Sequence, residues 1–232
     1  MVEARAVLFD LDDTLYDQAV PFARAVHAVV GPVEGATDAA LYAASRAHSG
    51  EIFAAYGEGR DPTQAMYARR MIATLTEFGR PVTEDVALQI QRRYMARACN
   101  PIELSAPMRG LLDDLAARNV RLGVVTNGNG ERQRAKARQL GLDRWMPARA
   151  IVVSEDVGLA KPDPAIFALG AQRLDVPAEA CVFVGDSIDV DVRGAQAAGM
   201  GAVWINRRDA PVPAGARFPV VRTDAELRAL LG

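Results

Sequence analysis

Val7-Leu8-Phe9-Asp10-Leu11-Asp12-Asp13-Thr14-Leu15 is the stretch that decides how this chain is read. A short, wholly apolar run stops abruptly at three carboxylates. The run suits a buried parallel strand, and the acids then mark its C-terminal end. After Pro107 the sequence alternates between strand and helix signals. Met108 to Arg118 reads as a helix closed by Asn119, Val120 to Val125 as a strand, and Glu131 to Leu140 as a helix capped by Gly141. Ala150 to Val153, Val182 to Val184 and Ala202 to Ile205 read as further strands, and Phe218 to Val221 as a candidate sixth. Helices are expected from the Asp163-Pro164 cap to about Leu174, from Asp189 to Ala198 before Gly199, and after Asp224 as a cap. Such alternation calls for an α/β fold, a parallel sheet with helices on both faces.

One block breaks the alternation. From Pro21 to about Cys99 the residues recur at helical spacing, interrupted at Gly31-Pro32, Gly57 to Pro62 and Gly79 to Pro81. This all-helical block, residues 18–100, follows the first strand directly. An insertion there would overhang the C-terminal edge of the sheet, where ligands of such sheets bind, so it is a candidate lid. The expected division is a core of residues 1–17 and 101–232 and an inserted helical domain of residues 18–100.

Composition narrows the function. The chain has 232 residues, 50% hydrophobic and 24% charged, with a formal net charge of -2. No global positive field or basic track favours a nucleic-acid polymer or an anionic membrane. No signal peptide or bilayer-spanning stretch is visible, so the cytoplasm is the expected location. The two cysteines, Cys99 and Cys181, are isolated and read as small apolar residues in a reducing compartment. All but two of the basic residues are arginine, the exceptions being Lys136 and Lys161.

Four segments place polar groups at or beyond strand ends: Asp10 and Asp12, Thr126 and Asn127, Lys161, and Asp186 with Asp191. In a doubly wound sheet these ends converge on one crevice. Asp10, Asp12 and Asp186 together would repel unless a cation lay among them, and an all-oxygen ligand set points to magnesium. Lys161 adds fixed positive charge, Thr126 a hydroxyl, and the backbone N–H groups after Asp10 an anion-binding nest. That combination suits a phosphoryl group in transfer.

At these residues the chain resembles the haloacid dehalogenase-like hydrolase superfamily, on its phosphatase side. The first motif, Asp-x-Asp-x-Thr after an apolar strand, stands at Asp10 to Thr14. The second, a strand ending in Thr or Ser, stands at Gly-Val-Val-Thr126-Asn127-Gly128. The third is Lys161-Pro162-Asp163-Pro164-x-x-Phe167, and the fourth Val-Gly185-Asp186-Ser187-x-x-x-Asp191. Val157 to Pro162 and Trp204-Ile205-Asn206, with the Thr-Asn-Gly turn, are similar to house-cleaning nucleotidases and N-acylneuraminate-9-phosphatase. The resemblance implies a Rossmann-like sheet in order 5-4-1-2-3 with a helical cap inserted after the first motif. It also implies roles. Asp10 is the nucleophile that forms an aspartyl phosphate. Asp12 is the general acid and base, and its carbonyl binds Mg2+. Leu11, Asp12, Thr126, Asn127 and Lys161 hold the phosphate. Asp10, Asp12 and Asp186 bind the metal, and Asp191 orients Lys161 or a metal-bound water. The implied activity is magnesium-dependent hydrolysis of a small phosphate ester.

Blander readings compete with these. An Asp cluster after a strand also makes turns, and Thr-Asn-Gly is turn chemistry. Lys136 reads as an ordinary helix charge. Asp163 reads as a helix cap, Asp189 as a dipole-compensating acid, and Asp13 as a local bonding partner. His27 and His48 have no visible ligand partner. In the helical block Tyr42, Tyr56, Arg60, Arg69 and Arg70 invite assignment as substrate contacts, but read first as core or surface residues. On the same fold, a 2-haloacid dehalogenase lacks an acid at the Asp12 position, and a phosphonatase needs a lysine in the cap, where this chain has none. A sugar phosphomutase shares the motifs. A non-enzymatic binding protein would be favoured by a missing motif carboxylate.

Overall fold

In the computed structural model, residues 4–54, 63–96 and 100–232 are described. Tyr56, Arg60, Cys99 and the Gly57 to Pro62 break lie outside them. The chain forms two compact units, Met1–Asp17 with Glu103–Gly232, and Gln18–Ile102.

The first unit is built on a six-stranded sheet in the order β3-β2-β1-β4-β5-β6. The strands are β1 (Ala6–Phe9), β2 (Arg121–Thr126), β3 (Ile151–Val153), β4 (Cys181–Gly185), β5 (Gly201–Ile205) and β6 (Val220–Val221). Read from the far edge this is 6-5-4-1-2-3, the expected order with one short strand added outside β5. All pairs are parallel. Phe9 stands level with Val124 on one side and Val184 on the other. The ends of β1, β2 and β4 therefore lie side by side. β1 is fully buried because it is central, which is why its sequence is uniformly apolar rather than alternating.

The helices of this unit are α5 (Ala106–Ala117), α6 (Gly130–Gln139), α7 (Ser154–Val157), α8 (Pro164–Arg173), α9 (Arg193–Ala197) and α10 (Asp224–Leu231). Side-chain caps fix several starts. Ser105 accepts from Met108 N, Asn129 from Arg132 N and Asp163 from Ala165 N. Two expectations are corrected. Thr223, not Asp224, caps α10 by accepting from Glu226 N. Asp224 instead accepts from Ser105 and from Arg207. The helix expected from Asp189 opens as a wide π-type turn over Ile188–Val192, and α9 follows. Such wide turns cluster at functional sites, and this one carries Asp191.

The second unit holds α1 (Ala19–Val30), α2 (Asp38–Ala54), α3 (Gln64–Glu77) and α4 (Glu84–Met95). Its core packs Phe22, Val26, Leu41, Met71, Leu75 and Ile90. Phe22 meets Tyr42 and Tyr94 edge-on, at 5.6 and 5.5 Å between ring centres. Thr63 and Thr83 cap α3 and α4. Acids in the first turn of α4 and arginines in its last turn suit the helix dipole. No described helix is long and apolar enough to cross a membrane.

Candidate active site

The α/β unit gathers the motif residues at the C-terminal ends of β1, β2 and β4. Asp10 follows β1, 6% exposed, and its backbone N–H donates to Val184 O at 2.9 Å. Lys161 reaches it from the loop before α8. Its Nζ lies 2.6 Å from Asp10 Oδ1 and 2.7 Å from Asp191 Oδ1. Lys161 and Asp191 are both buried. The Asp191 Oδ2 accepts from Ser187 N at 2.9 Å, so its carboxylate has fixed partners on both oxygens. Gly185 makes this approach possible. A Cβ there would stand 2.4 Å from Asp191 Cβ and Cγ.

Burial pushes the Asp10 carboxyl up to about 6 against the pull of Lys161, and Asp191 adds to the rise. Asp10 thus stays mostly ionised near neutrality. Burial alone would lower the Lys161 ammonium pKa. Asp10 and Asp191 outweigh it and raise that pKa above the ordinary lysine value.

Asp10, Asp186 and Asp191 each offer a carboxylate oxygen, all within 4.8 Å of one another. Three carboxylates around one ammonium leave an excess of two negative charges in a largely buried space. A hard divalent cation fits both the charge and the all-oxygen donor set. The Asp12 carboxylate is engaged elsewhere. Lys136 Nζ donates to it at 2.8 and 2.6 Å, Gln133 Nε2 donates at 3.1 Å, and the Tyr16 hydroxyl donates as well. Burial would raise the Asp12 pKa, but Lys136 and these hydrogen bonds overcome it and hold the carboxyl below its usual range.

Gln133 also donates to Thr126 Oγ1 at 2.7 Å, so the second motif is tied to the first. Asn127 latches the Lys161 loop from both sides. Its Nδ2 donates to Lys161 O at 2.9 Å, and its Oδ1 accepts from Lys161 N at 2.8 Å. Leu11, whose N–H was expected at the phosphate, is fully buried between the two acids. The start of α6 is braced by α7, which the sequence did not signal. Ser154 Oγ accepts from Gly128 N, and Glu155 accepts from Asn129 and Gly130.

Asp10, Asp12, Thr126, Asn127, Lys161, Asp186 and Asp191 are therefore one connected group. Asp189 is apart from it, exposed and paired with Arg193. Asp163 caps α8. Asp13 accepts from Arg208 at 3.1 Å. Arg207 donates to the carbonyls of Asp13 and Thr14 at 2.8 and 2.6 Å, which pins the loop after β1. Lys136 is the main correction: its side chain is only 14% exposed and lies on Asp12. The signal for it was available. Gln133 and Lys136 share a helix face directly after the Thr126 motif, and lysine is rare in this chain.

The haloacid dehalogenase-like hydrolase family matches residues 4–199. The chain belongs to this family. Among haloacid dehalogenase-like hydrolases it is 30% identical over 225 residues to glyceraldehyde 3-phosphate phosphatase of Methanopyrus kandleri, covering 88% of this chain and 84% of that one. It is 29% identical to phosphoserine phosphatase of Thermus thermophilus, covering 88% and 89%. The crystal structure of the HAD-hydrolase YfnB from Bacillus subtilis, bound to magnesium, superposes with a TM-score of 0.71 at 25% identity, covering 99% of each chain.

Proposed function

We propose that this hydrolase is a magnesium-dependent phosphatase acting on a small phosphate ester through an aspartyl-phosphate intermediate. The observation that carries the reading is the buried Lys161 ammonium, held between Asp10 and Asp191 beside Asp186. The phosphatase names of the two relatives support it, and the magnesium in the YfnB crystal supports the choice of ion.

Asp10, Asp186 and the Asp12 carbonyl would hold the ion, with Asp191 close by. When bound, it supplies positive charge beside the phosphoryl oxygens. Asp10 attacks phosphorus, and the bond to the ester oxygen breaks as the acyl phosphate forms. Asp12 gives a proton to the departing oxygen. It then takes one from the water that attacks the same phosphorus, which frees inorganic phosphate and restores Asp10. Lys136, Gln133 and Tyr16 favour the ionised form of Asp12 that the second half requires, so the proton it passes to the departing oxygen in the first half is one that arrives with the phosphate ester as its monoanion. Lys161, Thr126 and the backbone N–H groups of Leu11, Asp12 and Asn127 take the phosphoryl oxygens and offset their charge. The helical unit, inserted between Asp17 and Glu103, serves in this reading as the lid that chooses the substrate.

Phosphate release across a panel of phosphate esters tests this. Activity should vanish with EDTA and return with magnesium, and Asp10→Asn should reduce turnover by several orders of magnitude. Undiminished turnover in metal-free buffer, or in Asp10→Asn, would overturn it.

A further inference from the structure

The loop that carries Asp12 is held at two levels. Lys136, Gln133 and Tyr16 hold its carboxylate, and Arg207 holds the backbone that follows it. The chain turns at Asp13, whose φ of +59° is a left-handed conformation that few residues with a Cβ adopt. Asp13 and Thr14 lie between Asp12 and Tyr16, the residue whose hydroxyl donates to the Asp12 carboxylate. Fixing those two carbonyls therefore steadies both ends of that hydrogen bond.

Arg207 makes the contact with its fork. Nε donates to Asp13 O at 2.8 Å, and a terminal nitrogen donates to Thr14 O at 2.6 Å. The same nitrogen donates to Asp224 Oδ1 at 2.5 Å. The side chains of Arg207 and Asp224 are only 10% and 11% exposed. A guanidinium brought this far out of water needs a counter-charge, and Asp224 supplies it. Asp224 is fixed in turn, because its Oδ2 accepts from Ser105 Oγ at 2.5 Å. The turn that presents Arg207 is closed by Asn206, whose side chain donates to Ala210 O and accepts from Ala210 N, both at 2.8 Å.

Stability alone does not call for this arrangement, since a buried ion pair is often no better than an apolar pair of the same shape. What the planar fork adds is geometry: two N–H groups in fixed relation, set on two successive carbonyls of the loop. Asp10 is held independently, by Val184 O and by Lys161. Loss of Arg207 should therefore fall on Asp12 and spare Asp10.

We propose that Arg207 is a positioning residue for the hydrolysis: through the carbonyls of Asp13 and Thr14 it holds Asp12 where it passes a proton to the departing oxygen. This rests on the phosphatase reading. A purely bracing role predicts something else: loss of Arg207 would then lower stability and slow every ester equally.

The test is single-turnover phosphate release by the magnesium-loaded protein from glycerol 3-phosphate and from p-nitrophenyl phosphate. Arg207→Met should slow the glycerol ester about a hundredfold, the cost of a misplaced catalytic group, with KM changed far less. The nitrophenyl ester, whose leaving group needs little proton donation, should be slowed about tenfold or less. Adding Asp224→Asn removes the carboxylate left unpaired. That double variant should regain stability in urea unfolding without regaining rate. Arg207→Lys keeps the charge beside Asp224 but has no fork, so it should show the same inequality between esters in smaller measure, and it is read alone if Arg207→Met does not fold. Equal losses on the two esters, a full rate in Arg207→Met, or a rate that recovers with stability in the double variant would overturn this proposal alone. Release of phosphate from neither ester by the wild type would sink the phosphatase reading and this proposal with it.

Discussion

At the scale of single residues, Asp12 shows how a catalytic carboxylate is set by its neighbours. Its motif position is plain in the sequence. Its environment is not, because Lys136 and Gln133 arrive from more than a hundred positions away. The helix spacing showed that these two share a face, but it could not show what that face meets. Arg207 and Arg208, almost two hundred positions from the loop they hold, were hidden for the same reason. If Lys136 positions Asp12, Lys136→Met should lower kcat by about a hundredfold, the usual cost of a misplaced catalytic group. KM should change far less. The loss should be larger on an alkyl phosphate than on p-nitrophenyl phosphate, because the poorer leaving group depends more on proton donation. Single-turnover rates on both esters decide it. Equal losses on the two esters would instead make Lys136 a phosphate contact or a structural support.

At the scale of elements, the strands were legible because each is a short apolar run ending in polar groups, and their parallel order followed from the family resemblance. The turn after β4 was less so. Asp189 and Asp191 both suit a helix start; motif spacing favours Asp191, and burial agrees: Asp191 is 1% exposed and on Lys161, whereas Asp189 faces solvent. The wide turn over Ile188–Val192 carries Asp191 back to Ser187 and Lys161. It fits because Gly185 has no side chain to meet it. Gly185→Ala should therefore cost about 1–3 kcal/mol as an overpacked site and also displace Asp191. Gly199 provides the control. It has φ of +82° and no atom within 4 Å of an added Cβ. Gly199→Ala should cost about 1–2 kcal/mol from the left-handed backbone alone. Urea unfolding should show both losses, while phosphatase assays should show lowered turnover only for Gly185→Ala. Equal effects on turnover would mean that crowding of Asp191 is not the cause.

At the scale of the whole molecule, the carboxylate cluster found among the described residues belongs to the α/β unit, and the helical unit has a separate core. Metal should therefore act on one unit's stability directly. Three carboxylates against one ammonium repel in the metal-free protein, so magnesium should bind the folded unit and not the unfolded chain. At a magnesium concentration about a hundredfold above its Kd, linkage gives roughly 2.7 kcal/mol of stabilisation. Two units with separate cores need not melt together, so a single midpoint is an unsafe summary here. Calorimetry with and without magnesium should raise the transition that unfolds the α/β unit. Near-ultraviolet signals identify that transition, because both tryptophans, Trp145 and Trp204, lie in this unit. Asp186→Asn, which removes one charge from the cluster, should raise stability without metal and shrink the response to it. A magnesium shift of the same size in Asp186→Asn would place the ion elsewhere in the molecule.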